Sequence, residues 1–239
     1  MAEHIGNGGR RAELAANLTR VRERIRAACE AAGRADEPEL IVVTKFHPAS
    51  DVRLLAELGV TDVGENRDQE ASAKAAELAD LPLTWHFIGQ LQTNKAKSVV
   101  RYADVIHSID RSSLVGALGK AAAAAGLQDL ACLVQVNLDP EAAPGRGGAL
   151  PAEVPALSQL IDDTPGLKIA GVMAVAPLGA DPAAAFRRLM AVSAGMRARF
   201  SAATMVSAGM SQDLEAAVAA GATHLRIGTD VLGARPAVG

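Results

Sequence analysis

The hydrophobic pattern alternates between short apolar runs and longer amphipathic, alanine-rich stretches. Eight runs are strand-like, at residues 40–44, 60–64, 83–89, 104–109, 130–137, 167–174, 203–209 and 223–228. Most of these runs are continuously apolar, which is typical of strands covered on both faces, as in a parallel sheet. The pattern therefore predicts eight parallel strands with helices between them.

Helical periodicity marks the remaining segments. A long helix is predicted over 10–33, since Leu14, Leu18, Val21 and Ile25 form an apolar stripe and Gly33 is a plausible stop. Residues 1–9 are expected to be a short mobile lead into it. Further helices are expected to begin near Ser50, Asp68, Asn94, Ser112, Ala152, Asp181 and Ser211.

Eight strand–helix units in 239 residues favour a single-domain (β/α)8 barrel, a TIM barrel with an extra N-terminal helix. The alternative is a doubly wound open sheet, which is disfavoured because no GxGxxG motif follows the first strand. The loop at 139–155 is rich in Gly and Pro, and the strand–helix rhythm resumes after it. We therefore expect it to lie over the barrel mouth rather than to link two domains.

Composition excludes several classes of function. The charge is nearly balanced, with 24 basic and 27 acidic residues, and aromatic residues are few, which argues against nucleic-acid binding. No apolar segment approaches the roughly 18 residues that a membrane span requires. Cys29 and Cys132 are expected to be buried and reduced, which fits a cytoplasmic setting. No spacing of His, Cys or carboxylates indicates a metal site.

Lys45 is the first candidate for chemistry, because it follows the apolar run "LIVVT" where the first strand ends. Active sites of such barrels lie at the carboxyl ends of the strands. Loss of water there would lower the pKa of the lysine, and a partly neutral amine is the nucleophile that attacks a carbonyl. Lys45 could equally extend to solvent or pair with an acid such as Glu65.

The last two strand ends suggest an anion site. "SAGMSQD" (207–213) and "RIGTDVLG" (226–233) place small residues where backbone N–H groups can approach a phosphate closely. Ordinary strand–helix turns would have similar sequences. Together with Lys45, however, the two loops indicate a site in which an amine faces a phosphate. Pyridoxal 5′-phosphate (PLP) carries the matching aldehyde and phosphate. Arg226 could face its ring nitrogen, or could simply pair with a carboxylate.

Longer motifs carry a family resemblance. They are "GENRDQE" (64–70), "WHFIGQLQTNK" (85–95), "SID" (108–110) and "GMSQDLEAAVAAGATHLRIGTDVLGAR" (209–235), together with Lys45. With these, the chain resembles the pyridoxal phosphate homeostasis protein family, single-domain relatives of the alanine racemase barrel, from Leu40 to Arg235.

The resemblance implies a cofactor site. Lys45 would hold PLP as an internal aldimine, and Arg226 would face the pyridine nitrogen. The implied phosphate ligands are Ser211, Gly228 and Thr229, with Ser207 as a further candidate. Asn66, His86 and Met210 would line the pocket. His86 by itself is more often a satisfied core histidine than a catalyst.

The resemblance also implies a function: binding and buffering PLP, with PLP and PLP-dependent apoenzymes as partners, no catalytic residues and a monomeric state. The rival function is a PLP-dependent amino-acid racemase or another fold-type III enzyme. Against it, Tyr102 lies away from the strand ends, and the chain stops soon after the eighth strand. A third possibility is an interaction scaffold, which no sequence feature supports.

Two departures from the family pattern affect loop contacts. After the fifth strand the family often has Lys-x-Gly, whereas this chain has "PGRGGAL", so Arg146 with Gly147 or Gly148 could substitute. Asp230 stands where a small or apolar residue is expected.

Overall fold

Eight parallel strands close into a barrel, in which each strand pairs with its neighbours in chain order and the last pairs with the first. This computed structural model describes residues 2–139 and 147–234, with only the backbone for residues 2–7. The barrel predicted from the sequence is therefore confirmed, and the open sheet is excluded. The strands are β1 Glu39–Val43, β2 Asp62–Glu65, β3 Thr84–Phe87, β4 Val105–Ile109, β5 Asp129–Gln135, β6 Gly166–Met173, β7 Met205–Ser207 and β8 His224–Ile227.

Helices cover the outside of the barrel. They are α1 Ala2–Ala31, α2 Ala49–Glu57, α3 Asp68–Glu77, α4 Ala96–Val99, α5 Ser112–Ala125, α6 Val154–Asp162, α7 Pro182–Arg197, α8 Leu214–Ala220 and α9 Thr229–Leu232. No helix within the described residues is both long and apolar enough to cross a membrane. The described residues also hold no cluster of His, Cys, Asp and Glu that could bind a metal ion.

The helix α1 packs against α2, α8 and α9. Since α9 has only four residues, α1 covers the part of the barrel between α8 and α2 that a longer eighth helix would cover. Its apolar stripe is buried as predicted, and Arg24 forms ion pairs with Glu215 at 2.5 Å and Asp230 at 3.1 Å. The unexpected Asp230 thus has a structural partner, because it helps to attach the N-terminal helix.

Three helical regions differ most clearly from the sequence-based expectation. The first helix begins at Ala2 rather than near residue 10. A 3-10 turn at Thr93–Lys95 precedes the short α4. Helix α8 begins at Leu214 rather than Ser211, because the Asp213 carboxylate accepts a 2.6 Å hydrogen bond from the Met210 N–H and folds 210–213 into a turn.

The loop after β5 is described at both ends only. Its returning limb lies beside the end of β5, where Ala149 bridges Val136 and the Gln135 side chain donates to the Gly147 carbonyl at 3.1 Å. Arg146, which was expected to substitute for the family lysine, falls outside the described residues. Cys29 and Cys132 are buried free thiols, as expected.

Candidate functional site

A cavity of about 700 Å³ opens at the carboxyl end of the barrel. It brings together seven of the nine residues that the sequence placed in the cofactor site: Lys45, Asn66, Met210, Ser211, Arg226, Gly228 and Thr229. The rest of its wall comes from β1, from residue 88, from 175–180, from residue 182 and from 212–213. Residues separated by more than 180 positions in the chain therefore meet in one cavity, because the closed barrel places β8 beside β1.

Lys45 is half-buried and lies in a tight turn directly after β1. The His47 N–H donates to the Thr44 carbonyl at 3.1 Å across this turn. Phe46 has φ of 68°, in the left-handed region that bulky residues rarely adopt. The Glu70 carboxylate accepts a hydrogen bond from the Phe46 N–H, so this costly backbone is held from outside the turn. The backbone next to Lys45 is therefore fixed.

A buried ion network supports the same turn from below. The Lys74 ammonium donates to Glu65 at 2.7 Å, to Glu70 at 2.7 Å and to the Thr44 carbonyl at 2.8 Å. Glu65 is only 1% exposed and also accepts from the Thr44 hydroxyl at 2.6 Å. Burial raises the pKa of Glu65, although Lys74 and Thr44 oppose the rise.

The sequence predicts no role for Lys74, and it indicates Glu65 only as a possible partner for Lys45. The signal was present, since Glu70 and Lys74 are four residues apart on a helix, the spacing of a favourable ion pair. Within the motif "GENRDQE", the two glutamates thus hold Lys74 against the Lys45 turn. Their place in the motif has a structural explanation.

Asn66 forms another part of the cavity wall. A Cβ atom at residue 89 would lie 2.2 Å from the Asn66 carbonyl oxygen, so only glycine allows this approach. Among the described residues, the buried Asn66 Oδ1 has no hydrogen-bond partner. An unsatisfied buried acceptor in a cavity wall suits a ligand that supplies a donor.

Two glycine-containing loops contribute to the cavity wall. A Cβ atom at Gly228 would lie 3.1 Å from the Val43 carbonyl oxygen, so this loop lies directly against the end of β1. Gly209 has φ of 92°, and a Cβ there would lie 2.5 Å from the Ala217 Cβ. Gly228 and residues 210–213, which follow Gly209, line the cavity at the position where barrels commonly bind phosphate, after strands seven and eight.

Arg226 lies at the floor of the cavity and is 4% exposed. Its guanidinium donates to the Ser207 hydroxyl at 2.6 Å and to the Ala174 carbonyl at 2.8 Å. Burial lowers its pKa to about 10, which still leaves a cation at neutral pH. No carboxylate lies within ion-pair distance of this guanidinium in the described part of the chain, so the alternative of a carboxylate-paired arginine is not what the structure contains.

The other two residues expected at the cofactor site, His86 and Ser207, are not among the residues that line this cavity. They are buried in the barrel interior, and each contacts His107, His86 through Nδ1 at 2.9 Å and Ser207 through its hydroxyl at 3.0 Å. The reason is strand geometry: their side chains point inward on β3 and β7, beneath the loops that form the mouth. Ser207 contacts Arg226 and therefore supports the cavity floor.

The arrangement suits a small ligand with three chemical features. A primary amine and backbone loops suited to an anion lie on one cavity, with a buried cation at its floor. A molecule with a carbonyl group, an anionic group and a neutral ring nitrogen matches these features.

Comparisons with known proteins agree on one family. Residues 16–236 match the model of the alanine racemase N-terminal domain. The chain is 44% identical to a pyridoxal phosphate homeostasis protein of Corynebacterium glutamicum over 203 residues, which cover 82% of this chain and 90% of the relative.

Among solved structures, PipY of Synechococcus elongatus with PLP bound is 36% identical, with a TM-score of 0.77, and the match covers 92% of this chain and 100% of PipY. Alanine racemase of Streptomyces coelicolor has a TM-score of 0.73 at 18% identity, covering 95% of this chain and 59% of the racemase. The racemase likeness extends to the fold alone.

Proposed function

The chain belongs to the pyridoxal phosphate homeostasis protein family, and from that premise we propose that it binds PLP at the barrel mouth and acts in PLP homeostasis. The observation that carries the proposal is the convergence of Lys45, Arg226 and the two glycine loops on one cavity. PipY, a relative at 36% identity, has been solved with PLP bound.

The residues present fit PLP. The cofactor supplies an aldehyde that condenses reversibly with a primary amine, and Lys45 offers that amine. Ser211, Gly228 and Thr229, which all line the cavity, would bind the phosphate, and the absence of a Cβ at Gly228 lets its loop lie directly against the end of β1. Arg226 would face the ring nitrogen from the cavity floor. Asn66 and Met210 would complete the wall.

A carrier fits the cavity better than an enzyme does. A permanent cation beside the ring nitrogen keeps that nitrogen unprotonated, which weakens PLP as an electron sink. Among the described lining residues the titratable groups are Lys45, Asp213 and Arg226, and Asp213 already accepts a hydrogen bond from Met210. The single tyrosine, Tyr102, is not among them; its hydroxyl donates to Asp68 at 3.4 Å, and burial raises its pKa.

The covalent link is tested with two lysine variants. PLP is added to the purified protein, the visible absorption band is recorded, and borohydride reduction followed by peptide mapping locates the modified lysine. Wild type and Lys95→Ala should show the band and carry the label at Lys45. Lys45→Ala should show neither the band nor the label, while its circular dichroism spectrum should match that of wild type. Wild-type protein that takes up no PLP would refute the proposal. A label on Lys95 would show that Lys95, and not Lys45, binds PLP covalently.

The absence of turnover is tested by incubating the PLP-loaded protein with L- and D-alanine in deuterated water. We expect the rate of deuterium exchange at the α-carbon to be no higher than the rate measured with free PLP in the presence of Lys45→Ala protein. Exchange at enzymatic rates that depends on Lys45 would establish the rival function, a fold-type III enzyme.

We further propose that the protein is a cytoplasmic monomer that releases PLP to PLP-dependent apoenzymes. Light scattering of the loaded protein should give the mass of one chain. Loaded protein mixed with an apoenzyme and a scavenger of free PLP should activate the apoenzyme if transfer is direct, and should fail to do so if PLP passes through solution.

A further inference from the structure

A chain of five hydrogen-bonded side chains crosses the barrel interior. Asp62 Oδ1 lies 2.9 Å from His86 Nε2, and His86 Nδ1 lies 2.9 Å from His107 Nε2. His107 Nδ1 lies 3.0 Å from the Ser207 hydroxyl, which accepts from Arg226 at 2.6 Å. Asp62 begins β2, at the amino-terminal rim, whereas Arg226 lines the cavity at the other end. The chain therefore connects the two ends of the barrel.

The direction of the hydrogen bonds follows from the charge at one end when both imidazole rings are neutral. Burial raises the pKa of Asp62, but hydrogen bonds from His86 and Thr61 outweigh that effect and hold it below its ordinary value, so Asp62 is a carboxylate. A carboxylate only accepts, so His86 Nε2 carries a hydrogen and, in a neutral ring, Nδ1 accepts. His107 must then donate from Nε2 and accept at Nδ1.

Ser207 closes the same sequence of bonds. Its hydroxyl oxygen accepts from Arg226, and its one hydrogen is donated to His107 Nδ1. Burial lowers the pKa of His107 well below its ordinary value, in agreement with a neutral ring. Every donor in the chain thus points from Arg226 toward Asp62, and Ser207 has no hydrogen left for a phosphate.

The electrostatic need for this chain is clear at Arg226. A buried cation without a nearby anion is costly, and Arg226 has no carboxylate within ion-pair distance among the described residues. Aligned hydrogen bonds polarise one another in a low-dielectric interior, so the chain brings part of the effect of the Asp62 charge to the guanidinium. Asp213, which lines the cavity, adds a weaker attraction.

One other titratable ring lies beside the chain. His224 has its ring centroid 6.5 Å from that of His86, and its Nδ1 lies 2.7 Å from the Thr223 hydroxyl. Burial, followed by His86, lowers the pKa of His224 to about 4. It is therefore neutral at pH 7 and adds no competing positive charge.

We infer that Asp62, acting through His86, His107 and Ser207, is the remote counter-charge that holds the Arg226 guanidinium in place beneath the PLP ring. These four are positioning residues, since none of them lines the cavity. This inference rests on the proposed function for its effect on PLP, but the hydrogen-bond order itself does not.

The order of the chain is measured on the PLP-free wild-type protein. Nitrogen-15 spectra of the imidazole side chains at pH 7 should show both His86 and His107 as neutral rings protonated at Nε2. A ring protonated at Nδ1, or a charged ring at either position, would overturn the inference. Because no cofactor and no variant fold is involved, this result stands whatever the protein binds.

The coupling to the cavity is measured by PLP titration of two matched pairs of variants. Asp62→Asn and Ser207→Ala should each weaken PLP binding about tenfold and shift the absorption band of the bound cofactor. Asp104→Asn removes the same charge from the same rim, and Ser108→Ala removes a buried hydroxyl that has no partner among the described residues; both should stay within about twofold of wild type.

Equal losses in a variant and its control, or wild-type affinity in Asp62→Asn and Ser207→Ala, would refute the coupling. If Asp62→Asn does not fold, Ser207→Ala decides. Failure of the wild-type protein to bind PLP would instead refute the proposed function, and the imidazole spectra would still decide whether the chain has the inferred order.

Discussion

Substituting Lys74 with methionine tests the ion network beneath the Lys45 turn. Methionine keeps most of the side-chain volume but removes the ammonium that donates to Glu65 and Glu70 at 2.7 Å and to the Thr44 carbonyl at 2.8 Å. Glu65 is 1% exposed, so the variant leaves a buried carboxylate without its counter-charge.

The expected loss at pH 8 is about 3–5 kcal/mol in the free energy of unfolding, the range for breaking one side of a buried ion pair. For a chain of this size, that corresponds to a fall in Tm of about 6–20 °C. Lys97 is exposed, so Lys97→Met removes the same charge from the surface and should change stability by less than about 0.5 kcal/mol.

The loss should depend on pH in a defined direction. Burial already raises the pKa of Glu65 above its ordinary value of 4.5, and removing Lys74 raises it further. An acid with a raised pKa in the folded state contributes stability that is present below its unfolded pKa and is lost as pH rises through its folded pKa. The difference between Lys74→Met and wild type should therefore be smallest near pH 5 and grow toward pH 8.

Urea unfolding followed by circular dichroism at several pH values measures this difference. Adding Glu65→Gln to Lys74→Met removes the unpaired charge and should recover at least half of the loss at pH 8. A loss below about 1 kcal/mol, a loss that does not change with pH, or no recovery in the double variant would show that the network does not stabilise the turn.

Three glycines give further predictions. Gly171→Ala should lower the free energy of unfolding by at least about 3 kcal/mol in urea, because Gly171 has φ of 153° and its Cβ would lie 1.9 Å from the Met205 carbonyl oxygen. A small effect would contradict the close pairing of β6 with β7. Gly195→Ala, with nothing within 4 Å in α7, should instead stabilise by about 0.5–1 kcal/mol. Gly228→Ala should weaken PLP binding in titration about tenfold or more, because its Cβ would lie 3.1 Å from the Val43 carbonyl oxygen and would displace the loop that lines the cavity. Unchanged affinity would show that this loop does not bind the phosphate.

The sequence determined the architecture because barrel strands and helices have strong local patterns. Each of the eight apolar runs became a strand, with bounds that shift by at most two residues. The strand-end position of Lys45 and the glycine loops near the C-terminal end of the chain also follow from local pattern together with the rule that barrel sites lie at the carboxyl ends of strands. Seven of the predicted site residues meet in the cavity for this reason.

Tertiary structure decided which polar residues support that cavity. Lys74 lies 30 residues from Thr44, and His107 lies 100 residues from Ser207, so no local pattern pairs them. Periodicity indicates which side of a strand is buried, but it does not indicate which inward-pointing side chains share a level of the closed barrel. His86 was therefore placed at the cavity wall, whereas barrel closure puts it beneath the floor, in contact with His107.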